Sequence, residues 1–327
     1  MVSKQQTMKQ KRYFEEYVPT NGIETYFLHY PNTDKQKPVL LFVHGGPGES
    51  TVPFMRFFYD AFGSLCSLVT YDQRGTGKTL MKNPAAKPEM RLLLDDLHAV
   101  IAHLKQRYAV EKVALIGQSW GSGLGSVYAL EHPEDLLCYI GVGQLIDGSE
   151  NERVGCGTLR AKIQEADNKK DLAALDAIGE YPFGESNPFS FDKLMRVRKL
   201  QRKYGLAVRF GASFFKAVLF SPHIKPNDLK AMKASFAANR ELIEWVMTKF
   251  SLHDRPAKYG VPVFYLLGDR DYQTPFVISS AYFETIEAPF KRLITIRNAG
   301  HFPQLDNLQD FVSALREALE TTAKMQV

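Results

Sequence analysis

The chain alternates between short apolar runs and segments with helical periodicity, and this alternation is the feature that most limits its fold. Between the apolar runs lie amphipathic segments such as residues 89–108, whose apolar side chains follow i, i+3, i+4 spacing. The strand-like runs are residues 23–30, 39–43, 66–71, 113–116, 137–142, 261–267 and 293–296. Buried strands that alternate with helices predict a mostly parallel sheet covered by helices on both faces, which is the α/β class.

One long stretch breaks this alternation. Between about Gln144 and Arg255 no strand-like run occurs, and the sequence predicts several amphipathic helices separated by turn signals. We therefore predict an inserted helical lid, or cap, at residues 144–255, with residues 1–143 and 256–327 forming the two parts of the α/β core. Aromatic side chains are frequent in the cap, and ligand pockets often form at such a domain interface.

Composition and charge exclude several classes of protein. Of the 327 residues, 45% are hydrophobic and 24% charged, and a net charge of +5 without a nucleic-acid-binding motif predicts no nucleic-acid partner. A membrane span needs about 18 consecutive apolar residues, and no run in the sequence is nearly that long. The N-terminus lacks the apolar core of a signal peptide. We expect a cytoplasmic protein with no membrane partner. Three cysteines without C-x-x-C spacing predict neither a disulfide framework nor a metal site.

The segment Gly117-Gln118-Ser119-Trp120-Gly121 fits the pattern G-x-S-x-G and lies between a strand-like run and a helical run. In this context the pattern predicts a sharp strand-to-helix turn that presents the Ser119 hydroxyl at the edge of the sheet, a nucleophile elbow. The alternative is a serine in an ordinary glycine-rich turn. The choice depends on whether a base, an acid and an oxyanion hole occur at the right places in the chain.

A carboxylate and an imidazole follow two late strand-like runs. A serine nucleophile needs a base that takes its proton, usually a histidine held by a carboxylate. Asp269, Asp271 and His301 lie at the carboxyl ends of predicted strands, where ligands bind in open α/β sheets. The order Ser119, Asp271, His301 is that of α/β-hydrolases. We predict Ser119 and His301 as catalytic residues, with either Asp271 or Asp269 as the acid.

An acyl-transfer reaction also needs two donors directed at the oxyanion. The segment His44-Gly45-Gly46-Pro47-Gly48 follows a strand-like run, at the position where lipases and esterases have a glycine-rich loop. We predict the backbone N–H groups of Gly46 and Trp120 as the oxyanion hole. A phosphate-binding loop is the alternative, but neither G-x-x-x-x-G-K-[ST] nor G-x-G-x-x-G is present.

Three motifs together resemble the proline iminopeptidase (prolyl aminopeptidase) family of α/β-hydrolases. They are His44-Gly45-Gly46-Pro47-Gly48, Asp72-Gln73-Arg74-Gly75-Thr76-Gly77 and Gly117-Gln118-Ser119-Trp120-Gly121-Ser122. The resemblance covers roughly residues 20–143 and 256–325, extends to Asp271 and His301, and implies Asp271 rather than Asp269 as the acid. It implies a serine hydrolase that releases N-terminal residues, proline especially, from small peptides through an acyl-enzyme, with no metal or organic cofactor. It also implies that the second motif is a structural brace, with Asp72 and Arg74 as an internal ion pair.

The substrate-binding residues are less constrained. The family recognises a substrate amine through cap glutamates, and Glu49 stands where its glycine-rich loop usually continues with small residues. The candidates are Gly45, Glu49, Glu150, Glu152, Glu241, Glu244 and Trp245. For each cap glutamate an exposed carboxylate without a role is the alternative. Because esterases share this core, a carboxylesterase or other small-molecule ester or amide hydrolase is the alternative function. A non-catalytic binding protein is the third, and no oligomeric state is predicted.

Overall fold

The structure is a computed structural model that describes residues 12–183, 187–208 and 211–326. Within these residues the strands are β1 (Phe14–Thr20), β2 (Ile23–Tyr30), β3 (Val39–Val43), β4 (Ser67–Tyr71), β5 (Val113–Gln118), β6 (Leu136–Val142), β7 (Val263–Gly268) and β8 (Lys291–Ile296). The helices are α1 (Met55–Phe62), α2 (Gly77–Lys82), α3 (Met90–Tyr108), α4 (Trp120–Glu131), α5 (Gly148–Glu165), α6 (Lys169–Asp176), α7 (Phe191–Lys203), α8 (Ala212–Leu219), α9 (Pro226–Ala238), α10 (Arg240–Lys249), α11 (Phe276–Thr285), α12 (Pro303–Asp306) and α13 (Leu308–Lys324). Residues 1–11, on which the prediction about a signal peptide largely rests, lie outside the described residues.

The described strands form one sheet with the order β1-β2-β4-β3-β5-β6-β7-β8. β2 pairs antiparallel with β1 and β4, and all other neighbours are parallel. The predicted mostly parallel sheet flanked by helices is confirmed. Since parallel strands end at one edge of a sheet, the segments that follow β3, β5, β7 and β8 meet at the same edge.

The predicted strands all occur, and their ends differ from the predicted ones by at most two residues. The predicted helix at residues 89–108 corresponds to α3. β1 was not predicted from the sequence, and its side chains alternate between exposed and partly buried positions. An edge strand with one solvated face carries charges such as Glu15 and Glu16, and therefore lacks the continuous apolar run of a central strand.

Apolar side chains form a core on each face of the sheet. Leu97 of α3 and Leu124 of α4 belong to the cluster on one face, and Phe58 of α1 and Leu315 of α13 belong to the cluster on the other. Each is at most 2% exposed. This two-sided burial explains why the central strands read as unbroken apolar runs.

Six described helices, α5 to α10, lie between β6 and β7, and we call residues 143–262 the helical insertion. The two ends of the insertion are held together at its base, where Gly148 N donates to Phe250 O at 3.0 Å and Leu252 N donates to Ile146 O at 2.8 Å. The insertion has its own apolar cluster, which includes Leu159, Ile163 and Val197. The division into a core and a cap at residues 144 and 255 stays a prediction.

The predicted ion pair between Asp72 and Arg74 is wrong. Arg74 instead makes a bidentate ion pair with buried Asp96 of α3, with N–O distances of 2.8 and 2.9 Å. Asp72 accepts hydrogen bonds from Ser50 Oγ at 2.5 Å and Lys78 N at 2.7 Å. A guanidinium fork needs a coplanar carboxylate, and that alignment comes from the neighbouring helix rather than from a residue two positions away.

Among the described helices, none combines the length and the apolar character required to cross a lipid bilayer.

Candidate active site

Ser119 lies at the tight turn between β5 and α4. Its backbone has φ 55° and ψ −124°, which is unusual for a residue with a side chain and costs about 1–3 kcal/mol. Glycines on both sides make the turn possible. A Cβ atom on Gly117 would lie 2.3 Å from the carbonyl oxygen of Gly121, and a Cβ atom on Gly121 would lie 2.3 Å from that of Val43. Only glycine therefore fits at these two positions of the G-x-S-x-G pattern.

A continuous chain of hydrogen bonds joins Ser119, His301 and Asp271. Ser119 Oγ lies 2.9 Å from His301 Nε2, and His301 Nδ1 lies 2.9 Å from Asp271 Oδ2. Asp271 also accepts hydrogen bonds from the backbone N–H of Gln273 at 2.9 Å and the hydroxyl of Thr274 at 2.9 Å. Because the carboxylate only accepts, Nδ1 of His301 carries the hydrogen and Nε2 is free to accept from the serine. This arrangement can activate a serine hydroxyl.

The alternative acid, Asp269, is exposed and accepts a hydrogen bond from the backbone N–H of Ala299 at 3.3 Å. It thus contacts the loop that carries His301, whereas Asp271 contacts the imidazole itself.

The pKa of His301 is set by two opposing effects. Burial of the ring lowers the pKa, but the charge and hydrogen bond of Asp271, together with the charge of Glu49, outweigh burial and raise it above its ordinary value. The neutral form, which can accept a proton from Ser119, is therefore lost at a higher pH than in an isolated histidine.

The two predicted oxyanion donors lie on the same cavity as Ser119. Trp120 is the first residue of α4, and the first N–H groups of a helix have no carbonyl partner within the helix. Gly46 lines the cavity together with Ser119 and Trp120. Both N–H groups belong to segments that the ends of β3 and β5 bring together.

Gln73 fastens these two segments to each other. Its side chain donates to the carbonyl of His44 at 2.8 Å and accepts from the indole N–H of Trp120 at 3.1 Å, while its backbone N–H donates to His44 Nε2 at 2.9 Å. Burial lowers the pKa of His44 to about 4, so this ring is neutral. The family resemblance implied only a structural brace around Gln73, because contacts across three loops leave no local pattern in the sequence.

A cavity of about 150 Å³ lies between this edge of the sheet and the helical insertion. Ser119, Trp120 and His301 line one side. The insertion contributes the other side, which includes Asn151 and Glu152 of α5, Arg198 of α7, and Val246 and Met247 of α10. A larger cavity of about 240 Å³ lies within the insertion, but none of the predicted catalytic residues line it. We therefore place the candidate site at the smaller cavity.

The buried carboxylate of Glu152 is compensated by a neighbouring cation, Arg198. The Arg198 guanidinium and the Tyr181 hydroxyl each donate to one oxygen of this carboxylate. Arg198 also donates to Gln201 Oε1 at 2.8 Å. Burial lowers the pKa of Arg198, but the charge of Glu152 outweighs burial, and the pKa is raised. Nothing in the sequence pattern indicated Arg198, which lies 46 positions from Glu152.

Glu49 differs from Glu152 because its carboxylate has no hydrogen bond or ion pair with any described residue. The side chain reaches solvent through the cavity that it lines, with protein around it. The surrounding protein desolvates the carboxyl group and thereby raises the pKa of Glu49, and the positive charge of His301 counteracts this rise. Glu49 is therefore a carboxylate beside the imidazole that is available to a ligand.

The other substrate-binding candidates do not line this cavity. Glu150 pairs with Arg153 at 3.2 Å, and Glu241 is 84% exposed and pairs with Lys87 at 3.6 Å. Glu244 is exposed, and Trp245 packs on Phe250. Gly45 lies next to Ser119. An added Cβ atom on Gly45 would lie 3.0 Å from Ser119 Cβ, so this glycine permits close packing of the loop on the elbow.

The sequence profile of the alpha/beta hydrolase family matches residues 40–314, and the chain belongs to this family. Among its curated relatives, a probable aminopeptidase of Bacillus subtilis, YbaC, is 23% identical over 86% of this chain and 89% of the relative. A proline iminopeptidase of Lactobacillus helveticus is 23% identical over 93% of this chain and 96% of the relative. The resemblance seen in the three motifs is confirmed by relatives with that name.

A solved structure of similar fold is the proline iminopeptidase of Mycobacterium smegmatis. It is 21% identical to this chain and covers 96% of it and 100% of its own length, with a TM-score of 0.70. At this identity the likeness establishes the shared fold. Together with the family match, these comparisons support a hydrolase.

Proposed function

We propose that this chain is a serine hydrolase that works through an acyl-enzyme. The observation that carries the proposal is the pair of 2.9 Å contacts from Ser119 to His301 and from His301 to Asp271. Ser119 Oγ attacks the carbonyl carbon of the substrate while His301 Nε2 takes its proton. His301 then donates this proton to the leaving group, and Asp271 holds the ring and stabilises the imidazolium.

The second half of the reaction uses the same groups. A water molecule attacks the ester carbon of acyl-Ser119, and His301 accepts its proton and returns it to Ser119 Oγ as the acid product leaves. The N–H groups of Gly46 and Trp120 stabilise the oxyanion in both halves. Loss of one such donor typically costs about 10²–10³ in kcat.

Within this class we infer an aminopeptidase that releases N-terminal residues, proline first, from small peptides. The support is the charge of the cavity: Arg198 compensates Glu152, whereas Glu49 has no partner among the described residues. A free substrate ammonium would pair with Glu49 beside His301. The names of the relatives agree with this choice, and a cavity of about 150 Å³ suits a short substrate.

A carboxylesterase is the second candidate, because part of the cavity is apolar. Leu145, Val246 and Met247 line it and would accept an uncharged acyl group.

Two chromogenic substrates distinguish these candidates. We expect kcat/KM for proline p-nitroanilide to exceed the value for N-acetylproline p-nitroanilide, because acetylation removes the charge that would pair with Glu49. Fast turnover of short acyl p-nitrophenyl esters with no turnover of proline p-nitroanilide would contradict the aminopeptidase and favour the esterase.

The hydrolase mechanism itself has a separate test. A fluorophosphonate probe should label the wild-type chain and should not label Ser119→Ala. If the folded wild-type chain is not labelled, the proposed nucleophile is wrong and a non-catalytic binding protein becomes the better interpretation.

A further inference from the structure

Two histidines and an aspartate meet where α3 lies against the C-terminal end of α4. His98 belongs to α3, His132 caps the end of α4, and Asp135 follows three residues later. One potential ligand atom from each residue lies within 4.8 Å of the other two, and no other such group of three occurs among the described residues. None of the three lines the cavity at Ser119.

The spacing of these atoms is close to that of ligands around one metal ion. Metal–ligand bonds of about 2.0–2.2 Å in tetrahedral geometry place two ligand atoms about 3.4 Å apart. His98 Nδ1 lies 3.5 Å from Asp135 Oδ2, and the two imidazole centroids are 4.7 Å apart. Because the three ligand atoms lie within 4.8 Å of one another, a small shift of the partly exposed His132 side chain would complete the arrangement.

Asp135 is held in place for this role. Lys105 Nζ donates to its Oδ1 at 2.6 Å and Tyr128 donates to its Oδ2 at 2.7 Å. These two hydrogen bonds fix the Asp135 carboxylate, and the same Tyr128 hydroxyl lies 3.1 Å from His98 Nδ1, so Tyr128 positions two of the three potential ligands.

The three potential ligands can be reached from solvent, and a fourth potential ligand lies nearby. The His98 side chain is 52% exposed, so an ion can enter from solvent. Glu134 Oε1 lies 3.5 Å from His132 Nδ1 and is within reach as a fourth ligand. Two imidazoles with carboxylate oxygen suit Zn²⁺, Cu²⁺ or Ni²⁺, whereas Mg²⁺ and Ca²⁺ prefer oxygen ligands alone.

We propose that His98, His132 and Asp135 bind a divalent transition-metal ion such as Zn²⁺. The ion joins α3 to the C-terminal end of α4, whose N-terminal end follows Ser119. This site is separate from the proposed catalytic machinery, and its role is to stabilise the packing of the two helices.

Calorimetric titration of the tag-free, chelator-treated full chain with Zn²⁺ tests the proposal. We expect saturable binding of one ion per chain and a higher melting temperature with Zn²⁺ than without. His98→Ala and His132→Ala should each weaken Zn²⁺ binding by at least about 10-fold, since even outer-shell changes cost that much at metal sites. Co²⁺ should show the visible absorption of a tetrahedral site in the wild type only.

Matched controls keep the result specific. His253→Ala removes a histidine of nearly equal exposure, 53%, and should leave Zn²⁺ affinity unchanged. Cys156→Ser removes the only cysteine that is not fully buried and should also leave it unchanged. The proposal is overturned if the wild type shows no saturable Zn²⁺ binding, if the His98→Ala/His132→Ala double variant binds equally well, or if Cys156→Ser abolishes binding.

Discussion

The two walls of the cavity above Ser119 are built in different ways. On the sheet side, Ser119, Asp271 and His301 follow the ends of parallel strands, and each makes hydrogen bonds that fix its orientation. On the side of the helical insertion, Glu152 and Arg198 come from α5 and α7. Their positions depend on how these helices pack against each other.

Under the proposed function, this difference means that the reaction and the choice of substrate depend on different parts of the molecule. The sheet wall holds the hydrogen-bonded chain of Ser119, His301 and Asp271, and the strand ends fix the positions of these three residues. The insertion wall carries compensated charge, and Glu49, from the loop after β3, adds an uncompensated carboxylate beside His301. We expect changes in the sheet wall to abolish the reaction with every substrate, and changes in the charged groups to affect stability or the choice of substrate.

The largest effect is expected for Ser119→Ala. Loss of the nucleophile should lower kcat by about 10⁶-fold for both amide and ester substrates. Among the described residues the hydroxyl makes a hydrogen bond only to His301, so the melting temperature should change little. Steady-state kinetics and thermal unfolding measure the two effects. Activity within about 10-fold of wild type would show that the sheet wall does not carry the reaction.

Asp271→Asn should lower kcat by about 10⁴-fold, because the amide no longer holds the reactive tautomer of His301. In the wild type the raised pKa of His301 means that kcat/KM falls, as pH decreases, with a midpoint above 6.5. The substitution removes the main cause of the rise and leaves burial, which lowers the pKa. The midpoint should therefore move to lower pH. A pH profile of kcat/KM with an unchanged midpoint would contradict the role of Asp271.

Arg198→Met tests the insertion wall. It leaves the buried Glu152 carboxylate without its cation, and breaking a buried pair in this way costs about 3–5 kcal/mol. Urea unfolding should show the loss. The double variant Glu152→Gln/Arg198→Met should recover most of it, since no uncompensated charge remains. Equal stability of single and double variants would mean that this pair is not coupled as its geometry indicates.

Glu49→Gln should have the smallest and most selective effect. A hydrogen bond to a charged group contributes about 1.5–3 kcal/mol, so kcat/KM for proline p-nitroanilide should fall about 10- to 100-fold. Turnover of N-acetylproline p-nitroanilide and of neutral esters should change much less. Glu241→Gln, at an exposed carboxylate outside the cavity, is the matched control. A uniform decrease for all substrates would place Glu49 with the sheet wall.

The sequence predicted the sheet wall because its signals are local and its geometry is shared. Each of these signals lies within a segment of about ten residues. They are the strand-like runs, the glycines around Ser119, and the loops that carry Gly46, Asp271 and His301. Parallel pairing then brings the loops to one edge without any further information. The role of these residues in catalysis is a proposal that rests on this geometry.

The insertion wall could not be predicted in the same way. The seven substrate-binding candidates comprised five glutamates, one tryptophan and one glycine, and of these seven only Glu49 and Glu152 line the cavity. Arg198 and Gln73 were missed as contacts of the site, and the partner of Arg74 was assigned wrongly. In each instance the contact joins side chains from different elements, so neither periodicity nor spacing along the chain reveals it.

The amino-acid sequence by itself determined the α/β architecture and the order of Ser119, Asp271 and His301, because apolar runs, helical periodicity and the glycines around Ser119 are properties of short segments. Only the tertiary structure decided that Arg198 compensates Glu152 and that Glu49 has no partner among the described residues. Those outcomes depend on the angles and distances between helices and loops, which arise from the packing of many side chains at once. The charge that a substrate would meet is therefore a property of the folded chain.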